Sequence, residues 1–327
     1  MSVKAATTVS IAPDSTSVRS SASVSIGPAT LLPMQPDTIA VRIWPGRSLR
    51  IEPLGGGITN HNFKVSLEGD EAFVLRIGGK DTDLLGIERR AEHEAALAAA
   101  QVGTGAEVVA FLDGVLVTRY VDGEPFPADR MRTPAGISRA VAALQPFHAA
   151  PPISARFDCF RVVETYAATA AERGVPVPSA YDRARELAER IEQARGPRPL
   201  QPCHNDLLNA NFILDGERLW IVDWEYAGMG DVFFDLANFS VNHELGTDED
   251  DELLLRYFGE RRDADAASLA VMRFMSDFRE AMWGVVQQAI SELDFDFADY
   301  AHKHFERLER TAAAPRFRTA LHTLQSS

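Results

Sequence analysis

Over residues 1–38 neither a helical nor a strand period is sustained, and Ser, Thr, Pro and Ala dominate. Such a stretch has too little apolar surface to order itself and reads as a disordered tail. From Ile39 short apolar runs separated by Gly follow: VRIW, then LGGGITNHNFKVSLEG, then EAFVLRIGG. They predict two β-rich hairpins with a glycine turn. ERRAEHEAALAAA, residues 88–100, is rich in Ala and Glu and predicts a helix ending at the Gly103 and Gly105 pair. EVVAFLDGVLVTRYVDGEP predicts two further strands around Asp113-Gly114.

From about residue 134 the apolar spacing becomes helical in TPAGISRAVAALQPFHAA, YDRARELAERIEQAR and DDELLLRYFG, and in a long segment from Ala266 to about Leu308 with a break near Asp294. The one β interruption is NFILDGERLWIVD, where Asp215-Gly216 separates two apolar runs. The order of elements predicts an α+β, bilobal chain: tail 1–38, a small β-rich N-lobe over 39–121, a larger mainly helical C-lobe over 122–316, and a C-terminal tail over 317–327.

Composition narrows the function. A chain of 327 residues, at about 150 per domain, suits two lobes with a real core. The 33 basic and 47 acidic residues give a net charge of −14, which argues against a nucleic-acid surface or an anionic membrane as partner and favours a small cationic or neutral substrate. Cys159 and Cys203 form no CxxC pair, so neither a disulfide scaffold nor a zinc site is expected, and a reducing cytoplasm is the expected location. No run approaches the roughly 18 apolar residues of a membrane span, and no basic-then-apolar leader stands at the N-terminus.

The candidate chemistry sits in CHNDLLNANFILDGERLWIVDWEYAG, residues 203–228. Buried strands normally exclude Asp and Asn, because these groups cost free energy to bury unless something satisfies them. If Leu214 pairs with Leu219, Asn211 falls opposite Val222 and beside Asp223, so one hairpin end holds an amide oxygen and a carboxylate. Hard oxygens of this kind suit Mg²⁺ shared with phosphate oxygens. Asp206, five residues before Asn211, can accept the proton of an attacking hydroxyl. H-N-D-x-x-x-x-N followed by a later Asp matches the phosphoryl-transfer template of kinases in residue type and spacing. The plain alternative is a polar hairpin end satisfied by backbone groups.

The run PCHNDLLNANFILDGERLWIVDWEYAGMGDVFFDLANFS resembles the choline/ethanolamine kinase family, within the aminoglycoside-phosphotransferase and protein-kinase-like superfamily. LGGGITNHNFKV, FVLRIGG, IERRAEHEAAL and MWGVVQQAISELDFDFADYA are similar to further segments of that family in its order, over roughly residues 39–310. The resemblance implies a bilobal protein-kinase-like fold with ATP between the lobes, Mg²⁺ as cofactor and a small-molecule alcohol as acceptor. It implies Asp206 as catalytic base, and Asn211 and Asp223 as metal ligands. Arg76 is implied on the phosphates, with Glu92 as its partner; Glu88 and Glu94 share that helix, and all three could be solvated charges. Gly56, Gly57, Thr59 and Asn60 fall in the implied nucleotide loop, although a Gly triplet is also a plain hairpin turn, and the backbone of Arg119 to Val121 falls beside adenine. Glu225, Glu280, Trp283 and Tyr300 are implied at the substrate, Asp235 as a brace of the catalytic loop, His204 as an anchor of the same loop, and His148 as a satisfied core histidine.

At the substrate end the chain departs from the better-known choline kinases. Glu280 stands where a second Trp is expected, and Asn242 where an acid is expected. Choline or ethanolamine is therefore the leading expectation, with thiamine, methylthioribose, homoserine or an aminoglycoside as alternatives, and a non-catalytic nucleotide-binding protein as the rival from another class.

Overall fold

A computed structural model describes residues 35–55 and 59–326. Helix α1 (Pro36–Ile43) is followed by a five-stranded antiparallel sheet in the order β1-β2-β3-β5-β4, made of β1 (Leu49–Leu54), β2 (Asn60–Leu67), β3 (Ala72–Gly78), β4 (Val108–Leu112) and β5 (Val115–Arg119). Helix α2 (Arg89–Gln101) lies between β3 and β4 in the chain. The side-chain period of two decides the function of β3. Phe73, Leu75 and Ile77 enter a small core with Val65, Val117, Ile39 and Ala40, while Val74 and Arg76 take the other face. The Asp113-Gly114 turn has φ of 52° and 82°, the left-handed geometry that a two-residue hairpin needs.

The remainder is mainly helical: β6 (Glu124–Pro125), α3 (Ala128–Met131), α4 (Pro134–His148), α5 (Cys159–Glu172), α6 (Ala180–Arg195), β7 (Gln201–Cys203), β8 (Phe212–Asp215), β9 (Arg218–Ile221), β10 (Gly228–Gly230), α7 (Val232–Asn242), α8 (Thr247–Phe258), α9 (Asp263–Ile290), α10 (Phe297–Ala313) and α11 (Pro315–Gln325). Helix α9 is the axis: from Ala267 to Gln287 all but Arg273 are buried, on every face, under α5, α7, α10 and α11. A helix apolar on one stripe would need only one neighbour; one buried all round needs a ring of them. The break expected near Asp294 is the loop between α9 and α10.

The β8–β9 hairpin has the expected register, Leu214 opposite Leu219 and Phe212 opposite Ile221, and Val222 donates its N–H to the Asn211 carbonyl at 3.0 Å. Four expectations are corrected. VRIW does not form a strand: Val41 to Ile43 end α1, which starts with Pro36 in its first turn and docks Ile39 and Ala40 onto the sheet. The outermost strand is instead Leu49–Leu54, whose Glu52-Pro53 pair hid it. Residues 317–325 are no tail, because Phe317, Ala320, Leu321 and Leu324 form a buried stripe of α11 against α9. Beyond the β8–β9 hairpin, β7 pairs with β10 and β6 with β8, in strands too short to show a period. Of the tail expected over 1–38, residues 1–34 lie outside the described residues, and Pro36 to Thr38 belong to α1.

Candidate active site

A cleft of about 460 Å³ lies between the sheet and the helical part, lined on one side by Val74, Arg76, Tyr120 and Val121 and on the other by Asn211 and Asp223. The sheet contributes Arg76 because the alternation of β3 turns it away from the small core. Its guanidinium meets Glu92 at 2.6 Å, Glu225 at 3.2 Å and Asp223 in a short contact. Burial alone would lower its pKa, but Asp223, Glu92 and Glu225 hold it above the ordinary arginine value. Glu88 stands just before α2, and of the two glutamates on the helix Glu92 is the one on the buried face, with Ala91, Ala95, Ala96 and Ala99; it also meets Arg89 at 2.7 Å. Glu94 accepts from the Ser154 N–H at 3.1 Å instead.

The catalytic-loop candidates are held from below by one carboxylate. Asp235, fully buried on α7, accepts the backbone N–H groups of His204 at 2.7 Å and Asn205 at 2.6 Å, and its Oδ2 also meets His148 Nε2 at 2.9 Å. His148 meets the Tyr257 hydroxyl at 2.7 Å through its other ring nitrogen, so it is a satisfied core histidine. His204 ties the loop to the hairpin: its Nε2 meets the Val222 carbonyl at 3.0 Å, and its Nδ1 accepts the Asp206 N–H at 3.2 Å. The Asn211 amide donates to the Asp206 carbonyl at 2.8 Å. Asp206, Asn211 and Asp223 are thus gathered at one hairpin end, as the register requires. Asn205 and Asp223 both have left-handed backbone, with φ of 67° and 70°.

The Asp206 carboxyl is pushed up to about 8, first by burial and then by Glu280, Asp223 and Glu225, against the pull of Arg279. Sequence reasoning did not find Arg279. This side chain, 2% exposed, meets Asp206 at 3.4 Å and Glu280 at 2.5 Å through Nη1, and its plane lies 4.3 Å over the Tyr226 ring. Its Nε and Nη2 edge has no hydrogen-bond partner among the described residues. No motif carries Arg279; the one signal was an arginine on the apolar face of a core helix. Glu280 also accepts the Tyr300 hydroxyl at 2.8 Å, Trp283 Nε1 donates to the Tyr226 hydroxyl at 2.9 Å, and the Trp283 and Tyr300 rings meet edge-on at 5.5 Å. Burial would raise the Glu280 carboxyl, but Arg279, His304 and Tyr300 hold it below the ordinary value.

Glu225 lies apart from that cluster. It accepts from Thr59 Oγ1 at 2.5 Å and Asn60 Nδ2 at 2.6 Å, so the described end of the glycine loop rests on it. Gly56 and Gly57 lie outside the described residues. Arg119 and Val121 line the cleft, with the Arg119 side chain on Glu107 at 2.8 Å.

The phosphotransferase enzyme family matches residues 50–274, from β1 to the middle of α9. The chain belongs to that family. A choline/ethanolamine kinase family protein of Mesorhizobium loti, of known structure, is 32% identical, with a TM-score of 0.74 over 86% of this chain and 95% of that one. Protein LicA of Haemophilus influenzae is 26% identical over 77% of this chain and 76% of its own. A LicA structure in complex with AMP superposes with a TM-score of 0.70 at 22% identity, over 85% of this chain and 96% of that one, and shows the shared fold. The family is thus the choline/ethanolamine kinase branch of small-molecule phosphotransferases, with the bilobal kinase-like fold the element order implied. No helix among the described residues is long and apolar enough to cross a membrane.

Proposed function

We propose that the chain uses ATP and Mg²⁺ to phosphorylate the hydroxyl of a small cationic alcohol, choline or ethanolamine first, in the cytoplasm, where its two buried free thiols stay reduced. The observation that carries the reading is the gathering of Asp206, Asn211 and Asp223 at one hairpin end beside a cleft wide enough for a nucleotide. The AMP seen in the LicA structure favours a nucleotide in that cleft. The residues present fit Mg²⁺ by donor chemistry, since Asn211 spends its N–H on Asp206 and keeps its amide oxygen, and Asp223 adds a carboxylate. Held by these two residues, the ion would supply positive charge to the phosphate oxygens.

Asp206 takes the proton of the acceptor hydroxyl. A buried carboxyl displaced towards neutral pH is a better base than an exposed one. The acceptor oxygen then bonds to the terminal phosphorus as the bond to the nucleoside diphosphate breaks. Arg76, fixed by Glu92, keeps Asp223 in place and offers positive charge at the cleft wall. Once Asp206 is ionised, as a base must be, Asp206 and Glu280 carry two negative charges against the one positive charge of Arg279, a deficit that a monocation fills and that its arrival would help to create. Trp283 and Tyr300 add aromatic faces.

The test is ADP release with Mg²⁺, ATP and, in turn, choline, ethanolamine, thiamine, methylthioribose, homoserine and an aminoglycoside, with Asp206→Asn as the blank. One strong response that vanishes in the blank is expected. Equal release with every alcohol, or a response that survives in the blank, overturns the assignment.

A further inference from the structure

In the helical part a recess of about 150 Å³ opens between the end of α6, the start of α5 and the loop before α7. It shares no lining residue with the cleft. Three arginines line it: Arg156, Arg195 and Arg198. Arg195, the last residue of α6, has a side chain only 2% exposed; it pairs with Asp231 through Nη2 and lies 5.2 Å over Phe233, yet its Nη1 is buried with no hydrogen-bond partner. Arg156 and Arg198 enter no ion pair among the described residues.

Three carboxylates share the wall, and each is already engaged. Asp158 caps α5 by accepting the N–H groups of Phe160 at 3.0 Å and Arg161 at 3.3 Å. Asp231 caps α7 through the Phe233 N–H at 3.0 Å as well as holding Arg195, and Glu192 accepts from Arg161 at 2.6 Å. Burial pushes the Cys159 thiol at the recess well up, so it adds no negative charge. The unmet chemistry is therefore that of donors: a buried guanidinium N–H and two free guanidinium heads. A buried donor left unpaired is a standing cost to the folded state, which a ligand oxygen would remove.

We propose that this recess binds a phosphate dianion, either inorganic phosphate or the head of a small phosphate monoester. Three separate guanidiniums suit a tetrahedral group with three outer oxygens better than a two-oxygen carboxylate. The volume is about half the lower bound of roughly 300 Å³ for drug-sized sites, which admits such a group and excludes a nucleotide. The occupant would tie together segments that flank the catalytic loop. Phe157 N–H donates to the Met229 carbonyl of β10 at 3.1 Å, β10 pairs with the β7 strand that leads to His204, and Asp231 caps the helix that carries Asp235.

The test uses the full chain with Mg²⁺ and ADP saturating the cleft, at constant ionic strength held with sodium chloride. Inorganic phosphate, phosphoethanolamine and sulfate are titrated separately by calorimetry. Saturable phosphate binding is expected, weakened tenfold or more in the double variant Arg156→Gln/Arg198→Gln, whose exposed positions spare the fold and whose ADP affinity should be unchanged. Phosphoethanolamine is also a product of the proposed reaction, so only binding that the same double variant weakens is counted. Where that binding is tighter than for phosphate it assigns a monoester, and where it is equal or weaker it assigns the free ion. No saturable binding, binding unchanged in the double variant, or sulfate binding as tightly as phosphate overturns the proposal.

Discussion

Replacing Arg76 by Met removes the one cation that touches Glu92, Asp223 and Glu225 together, at 2.6 Å, in a short contact and at 3.2 Å. The side chain is 11% exposed, so water cannot take its place. Removing one partner of a buried ion pair costs about 3–5 kcal/mol, and at roughly 2–4 °C per kcal/mol for a chain approaching this size the unfolding midpoint should fall by about 6–20 °C at pH 8. The sign of the pH dependence follows from Glu225. Burial and Asp223 already push its carboxyl up against the pull of Arg76. Without Arg76 it rises further, so the folded variant holds a proton that the unfolded chain releases, and the variant loses stability as pH rises through the neutral range. The deficit relative to wild type should therefore shrink from pH 8 to pH 5.5, and Arg76→Lys, which keeps the charge and loses the fork, should lose less than half as much. Thermal unfolding followed by circular dichroism at the two pH values is the assay. A midpoint within 2 °C of wild type at pH 8, or an equal deficit at both pH values, would refute the reasoning.

Asp206→Asn should lower turnover by about 10²–10⁴-fold while ADP affinity, read by calorimetry, stays within about twofold. Because burial pushes the Asp206 carboxyl up to about 8 and the base must be unprotonated, wild-type kcat/KM for the alcohol should fall on the acid side of that value, and a flat profile from pH 6 to 9 would contradict the role. Arg279→Met removes the cation that opposes this shift, so its acid limb should move to higher pH, with activity partly restored at pH 9; a loss that is the same at all pH values would make Arg279 purely structural. Gly123 lines the cleft, and a Cβ there would stand 2.5 Å from the Leu214 carbonyl, so Gly123→Ala should cost about 1–3 kcal/mol and weaken ADP binding, both measurable on the same preparation.

Legibility in the sequence followed the range of the interactions. The β8–β9 register could be read from Asp215-Gly216 and the flanking apolar runs, because a tight turn and a period of two leave one alignment that buries Phe212, Leu219 and Ile221. With that register came Asn211 and Asp223. The α2 helix was legible from its composition, and Glu92 was named as the partner of Arg76 only through the family resemblance. The helix period alone left Glu88, Glu92 and Glu94 as equal candidates, and the burial of Glu92 with the 2.6 Å contact to Arg76 separates it from them. Arg279 was not legible at all, since its contacts with Asp206 and Tyr226 span 73 and 53 positions and depend on how α9 is rotated against the catalytic loop. The Thr59 and Asn60 contacts with Glu225 join residues 166 and 165 apart, and they likewise exist only once the sheet has closed on the hairpin. In α1 the local apolar run pointed to a strand, and docking of Ile39 and Ala40 on the sheet decided for a helix.

The left-handed backbone at Asn205 and Asp223 restricts what evolution can do at these two positions. Only Asn, Asp and Gly take that geometry at low cost, so a bulkier replacement adds backbone strain of order 1–3 kcal/mol to any effect on chemistry. A lineage drifting away from phosphoryl transfer would have a cheap exit through Asn or Gly at 223 and an expensive one through any β-branched residue. Silenced paralogues should therefore be recognisable by a small vocabulary at this one position, and Asp223→Asn is the substitution that separates the charge from the shape of the turn.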